Sequence, residues 1–313
     1  MSAKIQTFHL DEAIGRKVTS TRGHGVDGAK SPGLKVVQYP IDVGIAEINL
    51  RFGYDQIGDG FYTPRHHHNF DQFRYVVSGA MNLGKNFDLP EGELVYVPEG
   101  TYYGPLNQKG PVSLLVIQFP GPNAAYRISD AEKQVAMDAL RAAGGYFEDG
   151  IYKIKQPDGH SINKDSYEAV WEQHNGRPIT YASPRYETPI IIRPQGFRWM
   201  PDPARPGVEI KNLGAFTEYG TSVALWRLAP GAVIPSEVLE APQLRCVLRG
   251  STTYAGKEIG EKGCYYIPEG LRTNPIESRQ GAEFLVYTLP MYVRATWEAA
   301  WEQSKTRHQA VAA

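Results

Sequence analysis

Between Lys35 and Phe119 the chain is written in short runs of β-branched and aromatic residues. "KVVQYPI", "GIAEINLRF", "QFRYVVSG", "GELVYVP" and "SLLVIQF" are separated by Gly, Pro and Asn, and no helical apolar period crosses them. The pattern predicts short strands joined by tight turns, in a barrel or a sandwich. Helical patterning follows. "SDAEKQVAMDALRAAGG" opens on Ser129 with Glu132 three residues later, a capping-box spacing, and closes on Gly144 and Gly145. "NKDSYEAVWEQHNG" predicts a second helix ending at Gly176, and "YFEDGIYKI" between the two reads as a small hairpin. Strands resume with "PIIIRP", "SVALWRLAPG", "QLRCVLRG", "GCYYIPEG" and "EFLVYTLP"; the tail "RATWEAAWEQSKTRHQ" predicts a terminal helix.

The strand pattern is written twice. Gln72, Arg74, Val76 and Gly79 recur with the same spacing as Gln243, Arg245, Val247 and Gly250. "YVPEGTYYGPL" from Tyr96 recurs as "YIPEGLRTNPI" from Tyr266, and "GK" recurs at Gly84 and Gly256. Gln243 follows Gln72 by 171 positions and Pro268 follows Pro98 by 170, so the register slips by one residue between the two blocks. A repeat this long implies a duplicated domain and not a short-period solenoid. A length of 313 residues agrees with two domains. The expected division is 1–122 as a first barrel, 123–188 as a connector with helices, and 189–313 as a second barrel with the terminal helix.

Composition narrows the function classes. Hydrophobic residues make up 42%, enough for full cores, and the formal net charge of −1 with no like-charge block gives no support to nucleic-acid or polybasic membrane binding. Two cysteines outside any CxxC, Cys246 and Cys264, exclude a disulfide framework and read as buried thiols. "MSAKIQTFHLDEAIG" lacks the apolar core of a signal peptide and no apolar run approaches a membrane span, so a cytoplasmic location is expected.

The candidate chemistry lies in the first copy. "GFYTPRHHHNFDQFRYVVSG" sets Gly60, five residues, His66, one residue, His68, three residues, Gln72, six residues and Gly79 in series. "GELVYVPEGTYYGPLN" sets Gly92, five residues, Pro98, one residue, Gly100, two residues, Tyr103, three residues and Asn107. On a strand alternate side chains share a face, so His66 and His68 point together and His67 points away, as a surface or second-sheet histidine. Two imidazoles on a rigid strand make a bidentate metal seat.

These spacings resemble the two motifs of the cupin superfamily, G-x5-HxH-x3,4-E-x6-G and G-x5-PxG-x2-H-x3-N. The resemblance covers roughly 200 residues, the strand region of each half. It implies an all-β fold, a bicupin of two jelly-roll-like β-barrels, and a metal site of His66, His68, Gln72 and Tyr103. Fe(II) is the favoured metal; Zn, Ni and Mn are compatible. Two positions depart from the family pattern. Gln72 stands where a carboxylate is usual, and a neutral amide is a poorer ligand. Tyr103 stands where the third histidine is usual, and a tyrosine binds a metal well only as phenolate. The resemblance also implies a homodimer.

The second copy acts as an internal control. Glu237 and Leu239 take its two histidine slots, Gln243 the carboxylate slot and Thr273 the third-histidine slot, which makes no conventional transition-metal site. That barrel is expected to be metal-free. Arg74 and Arg245 share parity with Gln72 and Gln243, so both point into their barrels. Arg74 can clamp a substrate carboxylate or serve an internal network; its presence in the metal-poor copy too favours the network. Phe61, Tyr62 and Tyr102 flank the motifs as an aromatic wall or as ordinary packing. "GYDQIGDGF" reads as a loop, and His9, His24, His160, His174 and His308 are scattered without ligand spacing. No GxSxG, GxxxxGK[ST] or HExxH is present.

The first functional expectation is a metal-dependent enzyme for a small organic substrate, a non-haem dioxygenase, with Tyr103 and Arg74 as catalytic residues. A metal-dependent lyase or isomerase using Tyr103 as acid/base is the alternative within catalysis. A non-catalytic binding or sensory bicupin is the alternative outside it.

Overall fold

The computed structural model describes residues 4–10, 35–40, 50–122, 128 and 130–291. The predicted terminal helix, Ser129 of the capping box, and residues 44–49 of "GIAEINLRF" lie outside them. The described part is mostly antiparallel sheet, with two α-helices, α1 (Asp130–Ala142) and α2 (Ser166–Asn175). Neither helix is long and apolar enough to cross a membrane. The chain forms two compact units, one built chiefly from residues 50–191 and the other from 192–291 with 4–10.

In the first unit the main sheet runs Ile190–Ile192, Leu94–Val97, Asp71–Gly84, Val112–Phe119, Arg51–Ile57, Lys35–Pro40, with Phe87–Pro90 paired to the far end of Asp71–Gly84. Alternation sorts the long central strand. Val76 and Met81 enter one apolar cluster with Val95, Val97, Leu114 and Val116. Phe73, on the opposite face, packs on Tyr96 and Phe119 with ring centroids 4.8 and 5.9 Å away. Burying a side chain such as Phe73 contributes roughly 1.5–3 kcal/mol. "GYDQIGDGF" departs from the sequence expectation: its first half is strand, because Gly53 to Ile57 pair with Val116 to Val112. Asp55 is tolerated there because Arg51 Nη2 donates to it at 2.6 Å.

The helical segment belongs to this same unit. Asp165 caps α2, accepting from the backbone N–H groups of Tyr167 and Glu168, and Gly176 in the left-handed region ends it. The helix starts later than "NKDSYEAVW" suggests because Asn163–Asp165 pair with Ile151–Lys153 as a third strand on the predicted hairpin. Val170 and Trp171 of α2, Met137 of α1, Phe147 and Tyr152 form one buried cluster that includes Phe70, two residues from His68.

The second unit repeats the plan. Its sheet runs Gln6–His9, Gly263–Ile267, Gln243–Gly250, Ala282–Thr288, Ser222–Leu228, Val208–Ala215, Met200–Pro201. Cys246 and Cys264 are free, buried thiols on paired strands. The two copies share a defect as well as a pattern: each central strand bulges, between Val76 and Ser78 in one and between Val247 and Arg249 in the other. The shared glycine follows each bulge. Gly79 and Gly250 have φ of +80° and +75°, and a Cβ would lie 2.3 Å from the Pro111 carbonyl oxygen in the first and 2.2 Å from that of Gly281 in the second.

Gly79→Ala is therefore expected to destabilise the first unit by about 2 kcal/mol or more, combining left-handed strain with a backbone clash. Gly60→Ala, where φ is +77° but nothing lies within 4 Å, should cost only about 1 kcal/mol. Urea denaturation of both variants checks this; equal losses would remove the clash from the account.

Candidate metal centre

A short antiparallel bridge assembles the centre. His66 N–H donates to the Tyr103 carbonyl at 3.0 Å and Tyr103 N–H donates back at 2.9 Å. The flanking strands Tyr62–Thr63 and Leu106–Asn107 pair in the same register and extend it. Gln72 and Arg74 arrive from the central strand, two residues apart on the face that looks into the barrel. His66, His68, Gln72 and Tyr103 are all buried, Gln72 completely.

Tyr103 Oη is the point on which the side chains converge. Gln72 Nε2 donates to it at 3.1 Å and Arg74 Nη2 at 2.9 Å, and it lies 3.0 Å from His68 Nε2. A phenol has one proton and two lone pairs, so donation to His68 and acceptance from Gln72 and Arg74 use all three. Arg74 also lies over the Tyr103 ring, 5.3 Å from its centroid.

The imidazoles are oriented from behind. His66 Nδ1 is 2.6 Å from the Pro64 carbonyl oxygen and 3.1 Å from Thr63 Oγ1. A carbonyl only accepts, so the proton sits on Nδ1 and the lone pair on Nε2, the arrangement of a metal-ligating histidine. The His68 ring stacks on Phe70 at 4.4 Å and meets the edge of Tyr167 of α2 at 5.3 Å. Tyr167 is held in turn by its hydroxyl, which donates to Asn69 Oδ1 at 2.8 Å.

Gln72 is placed differently from its expected role as a ligand. Its oxygen accepts from Arg74 Nε at 3.2 Å and faces Gln118 Nε2 at 3.5 Å, and its N–H is turned to Tyr103. Flipping the amide would set N–H against both donors, so the hydrogen bonds fix this orientation. Gln72 holds Tyr103 rather than offering an oxygen to the centre.

The remaining donors are of the kinds that hold a divalent transition metal. The His66 ring lies 5.0 Å from the His68 ring and 4.2 Å from the Tyr103 ring, centroid to centroid, and the 3.0 Å between His68 Nε2 and Tyr103 Oη is the spacing of adjacent ligands on an ion with bonds of about 2.1 Å. Among the described residues no group of three or more His, Cys, Asp or Glu side chains could hold a metal, so the phenol oxygen is indispensable to the set.

His67 points away from the centre, as parity requires, but into a built site. Its ring lies between Tyr102 and Tyr181, with centroids 4.0 and 3.7 Å away, and its Nε2 is 3.2 Å from Glu168 Oε1. The hydrogen bond from His67 and a second from Tyr181 hold the Glu168 carboxyl below its ordinary range, against burial. Burial and then Glu168 push the Tyr181 hydroxyl well up. Tyr102 therefore lies on the outer side with His67 and Arg65, not in the barrel. Tyr62 is partly exposed, and Phe61 packs against the barrel cluster.

Asp71, which carries no motif signal in the sequence, anchors the other side. Its Oδ1 accepts the Glu99 backbone N–H and its Oδ2 accepts Arg185 Nη1, each at 2.7 Å. Burial raises the carboxyl to about 6 even so; Arg185 and the Glu99 N–H pull it down without fully offsetting desolvation. Beside it, Gly100 has φ +78°, and a Cβ there would meet the Ala182 carbonyl oxygen at 2.6 Å, so the segment around Ala182 to Arg185 closes against the second motif turn.

No protein-family model matches the sequence, and no curated protein is significantly similar to it. Solved structures are similar in fold. A "putative dioxygenase" from Nostoc punctiforme has a TM-score of 0.58 at 14% identity, over 91% of this chain and 82% of its own. A pirin from Escherichia coli in complex with nickel(II) has a TM-score of 0.50 at 14% identity, over 92% and 100%. A variant of oxalate decarboxylase from Bacillus subtilis has a TM-score of 0.51 at 13% identity, over 94% and 79%. The neighbours are cupin-family proteins, and the fold of this chain is that of a bicupin.

The Asp71–Arg185 pair yields a pH-dependent expectation. Asp71 titrates near 6 in the fold and near 3.8 unfolded, so the folded chain holds the extra proton between these values. Its contribution to stability therefore falls, by up to about 3 kcal/mol, as pH rises through that window. Arg185→Met removes the attraction that makes the ionised form tolerable. It should cost about 3 kcal/mol at pH 8 and clearly less at pH 5, where Asp71 is mostly neutral. Urea denaturation at both pH values measures the difference; equal losses would mean that Arg185 acts by packing alone.

Proposed function

We propose that the first barrel is a metal-dependent enzyme acting on a small organic molecule, as a non-haem dioxygenase with Fe(II) the favoured metal. The observation that carries it is the convergence of two oriented imidazoles and the Tyr103 hydroxyl inside an apolar barrel. The bicupin fold, a neighbour named as a "putative dioxygenase" and another in complex with nickel(II) support the reading by analogy.

His66, His68 and Tyr103 would hold the ion. Bound there, it would supply Lewis-acid polarisation of a substrate oxygen and, when redox-active, the electrons that oxygenation requires. Gln72 and Arg74 aim two N–H donors at Tyr103 Oη and support that oxygen once it has given up its proton. Val76, Val95, Val97, Leu114 and Val116 line the same barrel and exclude water from the reacting groups.

A lyase or isomerase is the second reading, favoured by one feature. The Tyr103 hydroxyl is within 3.0 Å of His68 Nε2 and 2.9 Å of Arg74 Nη2, which makes it a proton donor with a cation beside it.

Metal analysis of the purified protein is expected to find about one divalent ion per chain, and His66→Ala/His68→Ala is expected to lose it. The Fe(II)-loaded protein should consume oxygen with a substrate from a panel of aromatic and β-dicarbonyl compounds, and Tyr103→Phe should lower turnover by about 100-fold or more. Turnover that persists without oxygen selects the lyase or isomerase. A protein that carries no metal and whose Tm ignores added divalent ions is a non-catalytic binding barrel.

A further inference from the structure

The two barrels contain the same guanidinium in two states of neutralisation. In the second barrel Arg245 is completely buried. Its Nε donates to Gln243 Oε1 at 2.9 Å, and its Nη2 donates to that oxygen at 2.8 Å and to Glu237 Oε1 at 2.6 Å. The other oxygen of Glu237 accepts from Arg205 Nη2 at 2.6 Å. Burial alone would push the Arg245 guanidinium down, and Glu237 opposes that. Such a group is tolerable in a barrel only with an acid beside it.

Arg74 makes the matching bond, Nε to Gln72 Oε1 at 3.2 Å, but in the metal-free barrel its Nη2 donates to a hydroxyl, that of Tyr103, and not to an acid. The slot that holds Glu237 in the second copy holds His66 in the first. The correspondence is structural as well as sequential: Thr273 N–H donates to the Glu237 carbonyl at 2.9 Å, as Tyr103 N–H does to His66. No carboxylate among the described residues pairs with Arg74, and its two hydrogen bonds use two of five N–H donors. Arg74 thus keeps a charge and three donors available in a half-buried position.

We propose that Arg74 is the seat of a carboxylate carried by the small-molecule ligand of the first barrel, which supplies from outside the acid that Glu237 supplies within the second. The planar fork of a guanidinium matches a carboxylate in shape as well as charge. The inference names the substrate class for the pocket proposed above. It rests on that reading only in placing a small organic ligand there, since the charge on Arg74 needs no metal.

The test uses full-length protein, metal-free and metal-loaded, titrated calorimetrically with acetate, malonate and benzoate beside acetamide, malonamide and benzamide. At least one carboxylate is expected to bind ten-fold or more tightly than its amide. Arg74→Gln should weaken the carboxylate by about ten-fold or more and leave the amide unchanged, and Arg74→Lys should recover part of the loss. A second arm reverses the logic: in Glu237→Ala, acetate should raise the Tm saturably by more than in the parent, because Arg245 has lost its acid. Absence of binding by all three carboxylates, parity between acids and amides, inorganic sulfate binding as tightly as the carboxylates, or an unaffected Arg74→Gln would each overturn the proposal. A metal-free protein that still discriminates acids from amides separates this inference from the metalloenzyme reading, which then stands or falls on metal content alone.

Discussion

Everything at the candidate centre depends on the backbone pairing of two segments, through the two hydrogen bonds between His66 and Tyr103, a third from Gly100 N–H to the His68 carbonyl at 2.9 Å, and the flanking strands in the same register. They join segments that lie 37 positions apart in the sequence and belong to different motifs. Without them the histidine pair and the phenol would sit on separate turns with no fixed distance between them. With them the His66 and Tyr103 rings come within 4.2 Å, and the hydroxyl is delivered to His68. The matching bond between Thr273 and Glu237 shows that the bridge belongs to the barrel plan and does not depend on what the slots contain. The scaffold therefore sets position, and the side chains in the slots set chemistry.

The second constraint is charge. Each barrel brings an arginine inward from the same place on its central strand and ties it to a glutamine two residues earlier. The second barrel then closes the account with Glu237, clamped between Arg245 and Arg205, both of which lie over the Trp226 ring. There the guanidinium charge is met by an acid within the barrel, although Arg245 Nη1 is buried without a hydrogen-bond partner. The first barrel replaces the acid by an imidazole and sets a phenol against the guanidinium. Gln72, Arg74 and Tyr103 are hydrogen-bonded to one another, but without a metal to make Tyr103 a phenolate the guanidinium charge is not balanced from within, which is the property expected of a binding site and not of a structural core.

Much of this was legible in the sequence because it depends on short-range rules. Strand parity alone put His66 and His68 together, turned His67 outward and brought Arg74 to the face of Gln72. The repeat marks Gln72, Arg74 and Gly79 as common to both barrels, and the common bulge and positive φ explain the glycine. What escaped the sequence is long-range. The orientation of the Gln72 amide is decided by Arg74 and Gln118, the latter on another strand. Asp71 looked like one more polar residue in "NFDQ" because its partner, Arg185, lies 114 positions away. "GYDQI" looked like a loop because Gly and Asp are poor strand formers, and pairing with Val112–Val116 outweighed that propensity.

The helical segment between the barrels shows how composition can hide a structural part of a site. Read by pattern it is a connector, yet Phe70 is buried in the same cluster as Val170 and Trp171 of α2. The His68 ring is held between Phe70 and the edge of Tyr167, and His67 is held by Tyr181 and Glu168. Two neighbouring histidines, in the short extended segment between Tyr62–Thr63 and Asp71–Gly84, are thus fixed on opposite sides by residues about 100 positions downstream. The backbone alone would leave each imidazole several rotamers, and an ion or ligand would have to select one at an entropic cost. Packing α2 against this segment meets that cost during folding. The ordering of the centre is a consequence of the helical segment as much as of the barrel.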